Sequence, residues 1–343
     1  MRNDVNRKWV LHSRPGGAIQ PDTFEWQEVS LPPLTEGQFL VRNLWLSFDP
    51  AQRGWINDVP SYVPPVKLGE PMRAGAVGQI VESRNAAFKP GDYVAGTFGW
   101  QDYCVADGTG LFAVRKLPPN VTPQQSLSIL GTTGMTAYFG MKDIGQPALG
   151  DVVVVSGAAG ATGSIAGQIA RVLGASKVIG IAGGAVKCRW LVDEAHFDAA
   201  IDYKNEDVAK RLDTLAPKGI NVYFDNVGGA ILDACLARLA FKARVVLCGG
   251  ISSAYGLERG LGPANYFQLV IKSARMEGFI VLNYISMFPE AISAMSKWIA
   301  EGKLVWRDDV ANGLENAPSV LMGLFAGANF GKQLLKIADP PIL

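Results

Sequence analysis

Residues 157 to 163 read Gly-Ala-Ala-Gly-Ala-Thr-Gly and follow the run Val152-Val153-Val154-Val155-Ser156. A turn this poor in side chains lets backbone N–H groups close on an anion. If a helix opens at its end, the free N–H groups and the dipole of that helix add to the attraction. The chemistry is the holding of a dinucleotide pyrophosphate, with Gly160, Ala161, Thr162 and Gly163 as the cradle. An ordinary glycine-rich turn has the same composition, so the context decides. Here the turn follows a strand, precedes a helical pattern and sits in a βαβ unit.

The next strand selects the dinucleotide. It ends Ile181-Ala182-Gly183-Gly184, with no Asp or Glu to take a ribose 2′-hydroxyl. Lys187 follows at once, and Arg189 is a second cation. A missing acid beside a cation suits a 2′-phosphate, hence NADP(H) rather than NAD.

Other chemistries lack their residues. The cysteines Cys104, Cys188, Cys235 and Cys248 form no CxxC pair, and His12 and His196 are the two histidines. A zinc site asks for three or four close ligands, which this inventory does not supply, so no metal is expected. Nothing pairs a cysteine with a histidine for nucleophilic work, and both histidines read as structural. Without a metal to polarise a hydroxyl, alcohol oxidation is disfavoured.

The elements that must position the turn divide the chain in two. With 343 residues, and about 150 per domain, two domains are expected. Residues 1–125 read as short strands between turns: VRNLWLSF (41–48), AGAVGQIVESR (74–84) with bends at its glycines, and KPGDYVAG (89–96). The Pro-rich stretch 55–71 reads as a packed loop. From 126 to 303 strands alternate with helices. VVVVSG (152–157), KVIGIAGG (177–184), INVYFDNVGG (220–229), ARVVLCGG (243–250) and MEGFIVL (276–282) are strands or strand ends, with helices over 164–175 and 185–195. Continuous β-branched runs between helices imply a doubly wound parallel sheet. Residues 304–343 return to strand-like pieces and are expected to rejoin the first domain.

Thirty-two basic residues against 31 acidic give a net charge of +1, and no basic run marks a nucleic-acid partner. Apolar stretches are broken well short of the ~18 residues a membrane helix needs. The opening MRNDVNRKWV has no secretory pattern. A soluble cytoplasmic protein is expected.

Taken in order, AAGATGSIAGQIA, AGGAVKCRWL, IDYK, FDNVGG, CGG and LENAP…GANFGK resemble the prostaglandin reductase and curcumin reductase branch of the zinc-free medium-chain dehydrogenases/reductases. The resemblance covers essentially the whole chain, including DPAQRGW and GWQDY near the front. It implies a GroES-like β-rich domain, a Rossmann domain, NADPH and a homodimer. It also implies reduction of the C=C bond of α,β-unsaturated ketones and aldehydes. A quinone reductase of the same superfamily, or an inactive NADP-binding protein, are the alternatives.

The resemblance implies residue roles as well. Lys187 and Tyr203 match positions that hold the 2′-phosphate, and Asn226 matches a nicotinamide–ribose contact. Cys248, Gly249 and Gly250 match the strand end along the cofactor, Phe279, Ile280 and Val281 the backbone bracketing the nicotinamide amide, and Asn329 a further contact. Tyr255 is the candidate catalytic hydroxyl, but the family's CGxISxYN reads CGGISSAYG here, with one residue more before the tyrosine. The family's DPYMRG reads DPAQRG, which implies a roomier, more polar pocket if Ala51 and Gln52 line it. Tyr62, Trp100 and Tyr284 are then candidate pocket residues, with plain core packing as the alternative. His196 stands where the family has Gly, at a helix end that favours a left-handed backbone.

Overall fold

The computed structural model describes residues 5–110, 113–252 and 262–341. The chain forms two compact units. One comprises the described residues through Ser128, Asp308–Asn329, and those from Gln333 onward; the other comprises Ile129–Arg307 with Phe330–Lys332.

The first unit is antiparallel. Strand β1 (Val5–Leu11) pairs with β2 (Phe24–Ser30), Trp9 lying opposite Trp26. Strands β3 (Phe39–Ser47), β4 (Ala76–Ser83), β5 (Tyr93–Gly96), β6 (Tyr103–Ala106) and β7 (Arg115–Lys116) build the main sheet around β3. The glycines expected to bend β4 do so for a steric reason. A Cβ at Gly78 would run into the Val41 side chain and the Arg42 carbonyl, and the β3–β4 register shifts beside it, between Asn43 and Trp45. Helix α1 (Ala51–Ile56) carries DPAQRGW. Beyond it, residues 57–70 take no regular form, and arginines hold them: Arg14 donates to the Val66 carbonyl at 2.9 Å and Arg73 to the Pro64 carbonyl at 2.8 Å. The core gathers Phe39, Leu46, Phe48, Ile56 and Trp100 with Leu321 and Leu335 from the far end of the chain.

The second unit is a parallel sheet with its own core. After α2 (Pro123–Leu127) and α3 (Thr132–Phe139), its strands are β8 (Val152–Ser156), β9 (Lys177–Ala182), β10 (Ala199–Asp202), β11 (Ile220–Asp225), β12 (Leu239–Leu247) and β13 (Arg275–Gly278). Among the described residues they run in the order β10-β9-β8-β11-β12-β13, every neighbouring pair parallel. This is the doubly wound order, whose direction reverses between β8 and β11. Helices α4 (Ala161–Val172), α5 (Ala185–Asp193), α6 (Val208–Leu215) and α7 (Gly229–Leu236) connect the strands. Val153, Val154 and Val155 are fully buried, as a strand covered on both faces requires. Helix α4 opens at 161, three residues ahead of the helix expected from 164.

The strand expected over 276–282 is shorter than its composition suggests. Leu247 pairs with Gly278 and β12 ends there, so the chain loses its partner and coils into a 3-10 turn over Val281–Met287. At the chain end β14 (Asp308–Asn312) and β15 (Lys332–Lys336) join the antiparallel sheet, β15 pairing with β3. A helix over Ala317–Phe325 separates them.

Helix α4 lies so close to the sheet that Gly167 faces the buried ring of Phe197, and a Cβ would strike it. Gly167→Ala should therefore destabilise the protein by about 1–3 kcal/mol, the range for overpacking a tight core. Urea unfolding measures this, and an unchanged midpoint would show that the ring yields freely.

Candidate functional site

The site begins where β8 ends. Gly157 takes φ +57°, a left-handed conformation suited to glycine, and its carbonyl accepts from Gly160 N at 3.0 Å. Ala158 N donates to the Ile181 carbonyl at 3.0 Å, which ties the turn to β9. A Cβ at Gly163 would meet the Gly157 carbonyl and sit 2.9 Å from Ala158 Cα, so that position has no room for a side chain. Helix α4 starts after Gly160 with no side-chain cap. Its first N–H groups and positive dipole end are thus left to an anion at the reversal of the sheet order. Gly160, Ala161, Thr162 and Gly163 all lie on this turn and first helical turn.

A distant segment closes the turn from outside. Gly331 N donates to the Ala159 carbonyl at 2.9 Å, and Gly331 bridges to Gly160. Phe330 packs edge-on against Trp190, with ring centres 5.5 Å apart, while the Arg307 guanidinium lies 4.3 Å from the Phe330 ring centre. Asn329 immediately precedes this segment and belongs to the first unit.

The end of β9 shows how its acid is spent. Asp202, on neighbouring β10, accepts from Gly184 N at 2.7 Å, Asn205 Nδ2 at 2.7 Å and Lys204 N at 3.1 Å. The Gly184 hydrogen bond, then that of Asn205, holds the carboxyl below the usual carboxylate range. Lys187 lies half-buried in the first turn of α5. Tyr203 is 46% exposed. A Cβ on Gly183 would come 2.9 Å from the Tyr203 ring and 3.0 Å from Lys204 Cε. Tyr203 and the stem of Lys204 thus lie over the same glycine. Lys204 escaped the sequence reading, although IDYK displayed it beside Tyr203.

The ends of β11 and β12 run side by side. Cys248 N and Gly249 N donate to the Asp225 carbonyl at 2.9 and 3.0 Å, and Ser252 N to the Val227 carbonyl at 3.1 Å. Asn226 is fixed to β8: its N–H donates to Ser156 Oγ at 2.9 Å and its Nδ2 to the Ser156 carbonyl at 2.7 Å. The structure therefore brings Gly157–Gly163, Asn226 and Cys248–Gly250 together. Asp225, a buried carboxylate at this junction, also escaped the sequence reading. The visible signal was a single acid closing the apolar run INVYF.

Phe279, Ile280 and Val281 follow β13, and Phe279 meets Tyr284 edge-on with ring centres 6.3 Å apart. Tyr284 stacks on Phe139 at 4.5 Å. Burial raises its phenol above the ordinary range, with Asp143 and Glu277 adding to it, so it is a neutral donor at pH 7. In the first unit Tyr62 is 48% exposed beside a cavity of about 360 Å³ lined by residues 58–65, and its hydroxyl accepts from Trp55 Nε1 at 3.3 Å.

Two expectations in the first unit are corrected. Trp100 has no exposed surface and packs against Phe24 and Phe48, so it supports the core rather than walling a pocket. Gln52 is equally buried; it accepts from Asp49 N at 2.9 Å and donates to the Arg73 carbonyl at 3.0 Å, so its amide ties the chain together and does not line a polar pocket. Tyr255 lies outside the described residues.

Burial pushes Cys104 and Cys248 up to about 12 and Cys188 to about 11, and raises Cys235 as well. Among the described residues no group of three His, Cys, Asp or Glu could hold a metal ion, and no helix is long and apolar enough to cross a membrane.

Known families and proteins match the chain along its length. Residues 7–114 match the family described as the N-terminal domain of oxidoreductase, and residues 161–297 the family described as zinc-binding dehydrogenase. The chain is 41% identical over 338 residues to an NADPH-dependent curcumin reductase of Escherichia coli, covering 97% of both chains. It is 37% identical to a 2-alkenal reductase (NADP(+)-dependent) of Nicotiana tabacum, over 97% of this chain and 98% of the other. The crystal structure of CurA from Vibrio vulnificus in complex with NADPH superposes with a TM-score of 0.91 at 40% identity, covering 97% of this chain and all of that one. With these relatives at full length and this site, the chain belongs to the zinc-free medium-chain dehydrogenases/reductases, in their curcumin reductase and prostaglandin reductase branch.

Proposed function

We propose that the protein reduces the C=C bond of α,β-unsaturated ketones and aldehydes with NADPH. The observation that carries this reading is the uncapped N-terminus of α4 behind a turn that excludes side chains. It stands beside a strand end where the acid is spent on backbone and Lys187 and Lys204 supply positive charge. The cradle thus fits a pyrophosphate and the strand end fits a 2′-phosphate. Support comes from the relatives' activities as curcumin and 2-alkenal reductases.

In this reading Gly160, Ala161, Thr162 and Gly163 bind the pyrophosphate, and Lys187 and Tyr203 the 2′-phosphate. Asn226 binds the nicotinamide ribose, Cys248–Gly250 runs along it, Phe279–Val281 brackets the amide, and Asn329 adds a contact. Bound NADPH supplies the hydride that the β-carbon of the substrate accepts. A hydroxyl donating to the substrate carbonyl oxygen stabilises the charge that develops there, and Tyr255 is assigned that role. Water then protonates the α-carbon. Tyr62 and Tyr284 face the substrate.

A second copy of the chain is the proposed partner. Among the described residues β13 is one of the two edge strands of the parallel sheet, and Tyr266, Phe267, Val270 and Ile271 nearby are exposed apolar residues. The protein is read as cytoplasmic. Val270→Asp with Ile271→Asp should convert a dimer to a monomer in light scattering; an unchanged mass would place the interface elsewhere.

Purified protein should oxidise NADPH in the presence of enones and enals. A quinone-only response would move it to the quinone reductases. Lys187→Ala should weaken NADPH by about 1–3 kcal/mol, as for a lost charge-assisted bond, and leave NADH nearly unchanged. Equal weakening of both would remove Lys187 from the 2′-phosphate site.

Tyr255→Phe, measured at saturating NADPH beside Tyr62→Phe and Tyr284→Phe, should lower kcat about 10- to 100-fold. A full rate for that variant, with a loss in either of the others, would reassign the donor.

A further inference from the structure

Asp225 is 1% exposed. Its Oδ1 accepts from Tyr223 OH at 2.7 Å, Ser156 Oγ at 2.8 Å, Gly228 N at 3.0 Å and Val227 N at 3.1 Å, and Gly228 N also reaches Oδ2 at 3.1 Å. Its own carbonyl accepts from Cys248 N and Gly249 N. Ser156, one donor to the carboxylate, is also the residue that fixes Asn226 through both Oγ and its carbonyl. One residue thereby ties the end of β8 to the loop after β11 and the loop after β12. A buried carboxylate is costly unless its lone pairs are filled. Here every donor named is neutral, and the ends of β8 and β11 supply them, so the charge is stabilised only while those two ends are in register.

We propose that Asp225 is a positioning residue for the nicotinamide half of the cofactor: its carboxylate sets the backbone of residues 227–228 and, through the Ser156 hydroxyl, the Asn226 backbone N–H. The inference rests on the cofactor reading above and deepens it. Asp225 touches no reacting atom. It acts by holding Asn226 and the loop after β11 where the ribose and nicotinamide would lie, while the pyrophosphate turn and the Lys187 region keep their own hydrogen bonds.

The test separates the two halves of the cofactor by calorimetry on the full-length protein, with NADPH and 2′,5′-ADP as probes. Asp225→Asn removes the charge and turns an NH₂ group toward donors. The expected result is an NADPH Kd raised about tenfold or more, with the 2′,5′-ADP Kd within about twofold of wild type. Ser156→Ala, which keeps the carboxylate and deletes one shared hydroxyl, gives the same pattern at smaller amplitude and stands in if Asp225→Asn does not fold. Equal weakening of both probes in the folded variant, or no weakening of NADPH, overturns the inference. Wild-type protein that binds neither probe overturns the cofactor reading itself, and this inference with it.

Discussion

The parallel unit depends on how closely α4, α5 and β9 pack around the Gly-rich turn. A Cβ on Gly163 would meet the turn backbone, one on Gly167 the Phe197 ring, and one on Gly180 of β9 would come 2.9 Å from both Ala158 Cβ and a Leu191 methyl. Layers this close bring the positive end of the helix directly behind the turn, at the point where the strand order reverses. Gly160, at the N-cap, brings no capping side chain. The helix end is therefore incomplete until an anion arrives, which is why a glycine-rich packing constraint becomes a binding property.

Charge is handled in a consistent way around this turn. Asp202 and Asp225 both stand at strand ends, and both turn their oxygens to backbone N–H groups rather than to a cation. In the other unit Asp102 instead takes Arg7 and Arg42. A carboxylate filled by peptide donors fixes loops without adding a counter-charge that would compete with phosphate.

Much of this was legible in the residue order. The valines of β8 announce a strand buried on both faces, and the turn after it carries small residues at each close contact. The missing acid at Gly183-Gly184 is a one-dimensional fact with a direct chemical reading. What stayed hidden needed partners far away in the chain. Trp100 sits near a turn glycine, but Phe24 and Phe48 bury it. MEGFIVL has strand composition, yet the strand stops where β12 does. Asp225 looks like an ordinary polar residue ending a strand until Ser156 and Tyr223 are seen to donate to it.

The bridge between Gly331 and the Gly-rich turn has a consequence for how the protein is made. The turn is encoded at residues 157–163, while the segment that pins it comes much later, at residue 331. Domains generally fold as they emerge from the ribosome, N-terminal parts first. The six parallel strands are all synthesised before residue 331 exists, so the sheet can assemble while its anion-binding turn still lacks one hydrogen-bonded neighbour. Translation that stops short of Phe330–Lys332 would leave a nascent chain with its sheet in place and its cradle open on one side, exposing Trp190 where Phe330 would pack.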